Sequence, residues 1–271
     1  GSSLHHIHKI FFSDMKPDSQ LLTAIRSKHL IFTVTSGRSG SHFLARVMGY
    51  VPRLTVFHEE KEHSFHHYLR AAQTDRSVAE RFLLEQKLPF IAASQEPAYF
   101  EASHLFCKGF FEPMHEWGLT PDLVILTRSI RDISASLYQL GTIPGRTEKA
   151  LTFYLSPEDP SVHPVPAWKS WTDYQLCYWY CLEIQRRSAV YEKMALASGS
   201  KVVRIDLSEL KQWKCYKAML RGLDLPLPGW MDRLRFVKNA NRKAGDFSVS
   251  TQSIANPEDR DAQEEAVRLA F

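Results

Sequence analysis

The stretch Leu30-Ile31-Phe32-Thr33-Val34-Thr35-Ser36-Gly37-Arg38-Ser39-Gly40-Ser41-His42-Phe43-Leu44-Ala45-Arg46-Val47-Met48 decides the reading of this chain. Its first half is a short run of apolar and β-branched residues without a charge, the pattern of a strand buried on both faces. Its second half places Phe43, Leu44, Val47 and Met48 on one face of a helix. Between them lies Ser36-Gly37-Arg38-Ser39-Gly40, a turn-rich segment. A strand that feeds a tight loop and then a helix aims the backbone N–H groups of the helix start into the hollow of the loop. Those donors and the helix dipole favour an anion there. Gly37 and Gly40 allow tight backbone geometry and close approach of a ligand. Arg38 adds a fixed positive charge, and Ser39 and Ser41 add hydroxyl donors. The loop lacks the Gly-Lys-Ser/Thr of the nucleoside-triphosphate hydrolases.

Working outward, Leu54-Thr55-Val56-Phe57 reads as a second strand that ends in the charged run His58-Glu59-Glu60-Lys61-Glu62-His63. Residues 76–87 have a helical pattern. His104-Leu105-Phe106-Cys107 is expected to be a third strand ending at Lys108-Gly109, and Leu123-Val124-Ile125-Leu126-Thr127 a fourth, with a helix over 130–140. Residues 201–205 supply another strand, with a helix over 208–221. Strands alternating with helices imply a parallel sheet covered on both faces. Residues 141–171 are rich in proline and aromatics without a clear period and read as a long irregular insertion. A helix dense in Tyr and Trp follows over 174–194. There is no internal repeat and no linker, so a single α/β domain over 1–271 is expected, its central parallel sheet flanked by helices.

Composition narrows the function classes. A net charge of +4 suits an anionic ligand, but basic runs are absent and nucleic acid is not an expected partner. No apolar run approaches the roughly 20 residues that span a bilayer, and no membrane partner is expected. Cys107, Cys177, Cys181 and Cys215 form no Cys-x-x-Cys pair, and Cys177 and Cys181 lie four apart in a helical pattern, as buried neighbours would. With no secretory leader pattern, a reduced, cytoplasmic protein is expected. His58-Glu59 and His63 do not make a zinc-protease pair, because the histidines are five rather than four apart, and no metal is expected.

The loop resembles the 5′-phosphosulfate loop of the sulfotransferases that use 3′-phosphoadenosine-5′-phosphosulfate (PAPS), whose cytosolic members read roughly T-x-P-K-S-G-T-T-W-L. Arg38 falls at the lysine, Ser39 and Gly40 match, Ser41 and His42 replace the threonines, and Phe43 replaces the tryptophan. A second segment, Thr127-Arg128-Ser129-Ile130-Arg131-Asp132-Ile133-Ser134-Ala135-Ser136, is similar to the family's 3′-phosphate motif, with Arg128 and Ser136 on its two binding positions. The planar fork of an arginine grips phosphate oxygens in pairs. A third, Asn241-Arg242-Lys243-Ala244-Gly245-Asp246-Phe247, is similar to the family's R-K-G-x-x-G-D-W segment, shortened by two residues. By that match Arg242, Lys243 and the backbone of Ala244 close over the 3′-phosphate.

The catalytic base differs among branches of the family. Cytosolic members use the histidine of a K-T-H segment; here Lys108 fits the lysine, and Phe110 stands where the histidine would. Golgi heparan sulfate 3-O-sulfotransferases use a glutamate after the second strand, and their pattern, matched to 52–65, puts Glu60 at that position. His58 and Glu59 stay open as alternatives, Glu59 on the opposite side of an extended segment from Glu60.

The resemblance, over about 30–250, implies a P-loop-like fold and transfer of the sulfuryl group of PAPS to a hydroxyl or amine, releasing adenosine 3′,5′-bisphosphate. Arg38 and Lys108 would neutralise the sulfuryl and leaving-phosphate oxygens. A small-molecule acceptor is expected first and a carbohydrate second. The rival readings are a nucleotide-dependent kinase of related fold and a nucleotide-binding module without catalysis.

Overall fold

The computed structural model describes residues 15–59, 61–242 and 257–271. Five strands, β1 (His29–Val34), β2 (Leu54–Phe57), β3 (Ala98–Glu101), β4 (Asp122–Thr127) and β5 (Val202–Asp206), form one sheet in the order β2-β3-β1-β4-β5. Every neighbouring pair is parallel, with Ile31 opposite Phe100 on one side and Asp122 on the other. Helix α1 (Ser19–Arg26) precedes β1, and α2 (Ser41–Met48) joins β1 to β2. Helices α3 (Leu69–Thr74), α4 (Arg76–Phe82) and α5 (Leu88–Ala93) lie between β2 and β3, and α6 (Phe111–Glu116) precedes β4. Helices α7 (Ile130–Gln139), α8 (Glu148–Phe153) and α9 (Asp173–Ala197) lead to β5. Helices α10 (Leu207–Leu210), α11 (Trp213–Gly222), α12 (Trp230–Ala240) and α13 (Pro257–Ala270) follow it.

Alternation along the strands divides the core. Leu30, Phe32 and Val34 of β1 pack with Leu123 and Ile125 of β4 against α7 and α9. Ile31, Val124, Leu126 and Phe100 face the other way, onto Leu44 and Val47 of α2 and Tyr216 and Leu220 of α11. With all strands parallel, the segments after β1, β2, β4 and β5 emerge at one edge of the sheet. There β1 is the point where connections diverge to both sides, the usual ligand crevice of open α/β sheets.

The expected strand at 104–107 is not formed. Those residues turn, and the third strand is Ala98–Glu101. Ser103 accepts the N–H of Leu105 at 3.1 Å and Lys108 N–H bonds Leu105 O at 3.0 Å, which bends the chain off the sheet. Ala98-Tyr99-Phe100-Glu101 lacks the apolar signature because its glutamate is buried in a central strand. Lys87 Nζ at 2.9 Å and Tyr99 Oη at 2.7 Å satisfy it.

The helix expected over 208–221 is broken into α10 and α11. The one over 174–194 begins at Asp173, where Thr172 and Gln175 cap each other's backbone reciprocally, and runs to Ala197. The insertion carries α8 and is fastened by Arg70, which donates to Leu151 O at 2.9 Å, Tyr154 O at 2.7 Å and Asp159 at 2.5 Å. Cys177 and Cys181 are buried neighbours on α9, and all four thiols are free.

Candidate functional site

The loop after β1 turns through three left-handed residues, Gly37 (φ +81°), Arg38 (φ +55°) and Gly40 (φ +98°). Only glycine enters this region without strain, and Arg38 is an uncommon occupant. Close packing excludes larger residues as well. A Cβ on Gly37 would stand 3.0 Å from Cγ of His104, and one on Gly40 would overlap a methyl of Leu207. Buried clamps hold the loop from beneath: Tyr180 Oη donates to Ser36 O at 2.5 Å, and Cys107 Sγ to Thr35 O at 3.4 Å. Ser39 is fully buried with its hydroxyl bonded to that of Thr35, so anything it offers a ligand comes from its backbone. Gly40 caps α2 without a side-chain bond, and the first turn of that helix opens onto the crevice.

The crevice has a volume of about 870 Å³. Among the described residues six cations line it, Arg38, Arg46, Arg128, Lys149, Lys211 and Arg242, with Glu59 the single carboxylate. Set against a whole-chain charge of +4, this concentrates positive potential in one concave site. Arg128 reaches from the end of β4 to donate to Arg38 O at 2.9 Å. Arg38 turns its own Nε to Ser136 on α7 at 3.0 Å. The 5′-loop residue and the two residues matched to the 3′-phosphate motif therefore form one connected cluster.

On the β2 side, a chain of three ionisable groups runs from the cavity into the core. Lys108 is fully buried, with Nζ 2.6 Å from His104 Nδ1, 2.9 Å from Phe153 O and above the rings of Tyr154 and Tyr180. Lysine has only donors, so His104 Nδ1 accepts and Nε2 carries the ring proton. That N–H points to Glu59 Oε1 at 3.1 Å. Burial lowers Lys108 to about 7. Burial, with the neighbouring Lys108 charge, lowers His104 to about 4 and keeps it neutral. Burial alone would raise the Glu59 carboxyl. The hydrogen bond from His104 overcomes it, helped by the Lys108 charge and, at pH low enough to protonate them, by the charges of His104 and His58, and holds Glu59 at about 2, an ionised carboxylate.

His58 Nε2 lies 3.0 Å from Ser41 Oγ, and its ring stacks on His42 at 4.0 Å. Burial takes its pKa below 6.5, against Glu59, which raises it, and with His42, which lowers it further. His58 is thus a neutral imidazole beside the loop.

The structure gathers most of the sequence-derived residues. Arg38, Gly40, Ser41, His42, Phe43, His58, Arg128 and Arg242 line the cavity, and Ser136 joins them through Arg38. Lys108, expected to touch the sulfuryl oxygens, stands behind His104, because its ammonium is consumed by His104 and a carbonyl in the core. Glu60, Lys243 and Ala244 lie outside the described residues. Glu59, an alternative to Glu60 as the base, lines the crevice. Of the aromatics of the insertion and the first turns of α9, Phe153 and Tyr154 reach the cavity, whereas Trp171, Tyr174, Tyr178, Trp179 and Tyr180 are buried in the core.

Sequence reasoning missed His104, Arg46, Lys149 and Lys211. Arg46 had a signal, since it lies one helical turn from His42 on α2. No protein-family model and no curated protein matches the chain.

Proposed function

We propose that this chain is a sulfotransferase that moves the sulfuryl group of PAPS to a hydroxyl or amine of an acceptor. The observation that carries the reading is that, among the described residues, six cations surround a glycine-turned loop with one ionised carboxylate, Glu59, in the same cavity. Its volume of about 870 Å³ falls within the roughly 300–1,000 Å³ of small-molecule sites. In the proposed reaction the acceptor oxygen attacks sulfur and forms the new O–S bond. Its proton passes to Glu59, which His104 orients from behind. The bond from sulfur to the bridging oxygen breaks, and its electron pair leaves on the 5′-phosphate as adenosine 3′,5′-bisphosphate. The N–H groups of the loop and Arg38 stabilise that developing charge, as preorganised donors do in phosphoryl transfer. Arg128, Ser136 and Arg242 hold the 3′-phosphate. The acceptor enters beside Phe153 and Tyr154, and a small molecule suits that apolar wall best, with a carbohydrate second.

Calorimetry with the product nucleotide tests the assignment. A charge-assisted contact contributes about 1.5–3 kcal/mol, so adenosine 3′,5′-bisphosphate should bind at least about tenfold tighter than 5′-AMP. Equal affinities would remove the 3′-phosphate site. Stronger thermal stabilisation by ATP than by adenosine 3′,5′-bisphosphate would favour the kinase reading. Transfer of ³⁵S from labelled PAPS across a panel of alcohols, phenols, amines and sugars separates an enzyme from a silent binding module.

A further inference from the structure

Among the described residues, helix α12 presents an apolar face with exposed side chains. Trp230 is 75% exposed, Leu234 64%, Met231 54% and Val237 44%. At 100° per residue, Trp230, Leu234 and Val237 share an arc of about 60°. Arg233 and Lys238, both exposed, stand about 40° beyond its two edges. The opposite side of the helix is anchored: Phe236 is buried against Tyr216 at 4.8 Å, Trp213 at 5.2 Å and Phe43 at 6.0 Å. Asp232, the one acid of the helix, is turned from the stripe and paired with Arg235 at 3.1 Å.

We infer that α12 docks this protein on an anionic lipid surface. A tryptophan-bearing apolar stripe bordered by cations on both sides is the composition of a helix lying in a membrane interface, with the rings and aliphatic groups among the acyl chains and the cations at the headgroups. Charge complementarity selects this occupant over a second copy of the chain. Two copies packed through this stripe would set the Arg233 and Lys238 borders of one against the same borders of the other, with no acid of α12 free to separate them. The attachment inferred is that of a helix lying in the interface; among the described residues no helix is long and apolar enough to cross a membrane. It also has a direction. Asn239, in the last turn of the same helix, and Arg242, two residues past its end, line the cavity, so docking brings the cavity mouth beside the bilayer and favours acceptors held there. This inference does not depend on the sulfuryl-transfer reading, because the docking measurement involves no nucleotide.

The test is co-sedimentation of the full chain with vesicles of phosphatidylcholine alone or mixed with phosphatidylglycerol. Binding should be at least about tenfold stronger to the anionic vesicles and should weaken with added salt. Trp230→Ser/Leu234→Ser should abolish it without changing the denaturant midpoint, since both side chains are exposed. Arg233→Gln and Lys238→Gln should each weaken it about fivefold. The inference is overturned if the wild-type chain stays in the supernatant, if both vesicle types bind it equally, or if the serine variant still binds. A concentration-dependent dimer that the serine variant abolishes would overturn it too, by assigning the face to a second copy.

Discussion

Replacing Glu59 by glutamine keeps the shape and an acceptor oxygen for His104 but deletes the charge. The carboxyl sits at about 2 in the folded chain against 4.5 ordinarily. A folded-state value below the unfolded one adds stability that is fully present above pH 4.5 and is lost as pH falls towards 2. A difference of that size corresponds to about 3 kcal/mol. A neutral hydrogen bond retains about half the strength of a charge-assisted one, so Glu59→Gln should cost about 1–2 kcal/mol at pH 7. The cost should shrink steadily between pH 5 and pH 3, because the wild type is then losing what the variant lacks. Urea unfolding of both proteins across that range measures it, and a cost independent of pH would refute the placement of an ionised Glu59 against His104. In the ³⁵S assay the same variant should lose about 10²–10⁴ in turnover, the usual share of a general base. Its affinity for adenosine 3′,5′-bisphosphate should be unchanged or tighter, since a negative charge has left an anion site. Full turnover would move the base to His58, the neutral imidazole beside Ser41.

Other expectations concern the cations. Arg38→Ala should lower turnover by about 10²–10³, the scale of losing one preorganised charge stabiliser. The fold should survive, because Arg38 is exposed and alanine has the same backbone requirement; a folded variant at wild-type rate would mean the loop does not meet the reacting group. Lys108→Met removes the charge that helps hold His104 at about 4. The His104 ring should then titrate about one unit higher or more by NMR, the scale of a contact charge even when well screened, and an unmoved titration would refute the Lys108–His104 contact.

The sheet was legible in the sequence where strands are covered on both faces, because such strands read as unbroken apolar runs. Leu30 to Val34 and Leu123 to Leu126 are of this kind. β3 was hidden by Glu101, whose partner Lys87 is fourteen residues away and belongs to a helix. The site was legible where ligand-facing residues sit in a loop or one helical turn from it, as Arg38, Ser41 and His42 do. Lys149, Lys211 and His104 come to the same cavity from α8, the end of α10 and the turn after β3. No local spacing connects them; the topology does. Which of His58 and Glu59 meets the cavity is not legible from alternation, because β2 ends at Phe57 and the period of an extended strand ends with it.

The strand order bears on how the chain acquires its shape as it is made. β1 pairs His29 with Ala98 and Ile31 with Asp122, so both neighbours of the central strand are synthesised long after it. At about 5–20 residues per second, a ribosome leaves Leu30 to Val34 without its second partner for roughly 5–20 s after that strand is complete. An uncharged, β-branched run is the kind of segment that pairs with other chains when left bare. Lys28 lies two residues before it and Arg38 four residues after, near the positions at which flanking charges discourage such pairing. Arg38 thus stands where it can guard the nascent strand before the cavity it lines exists.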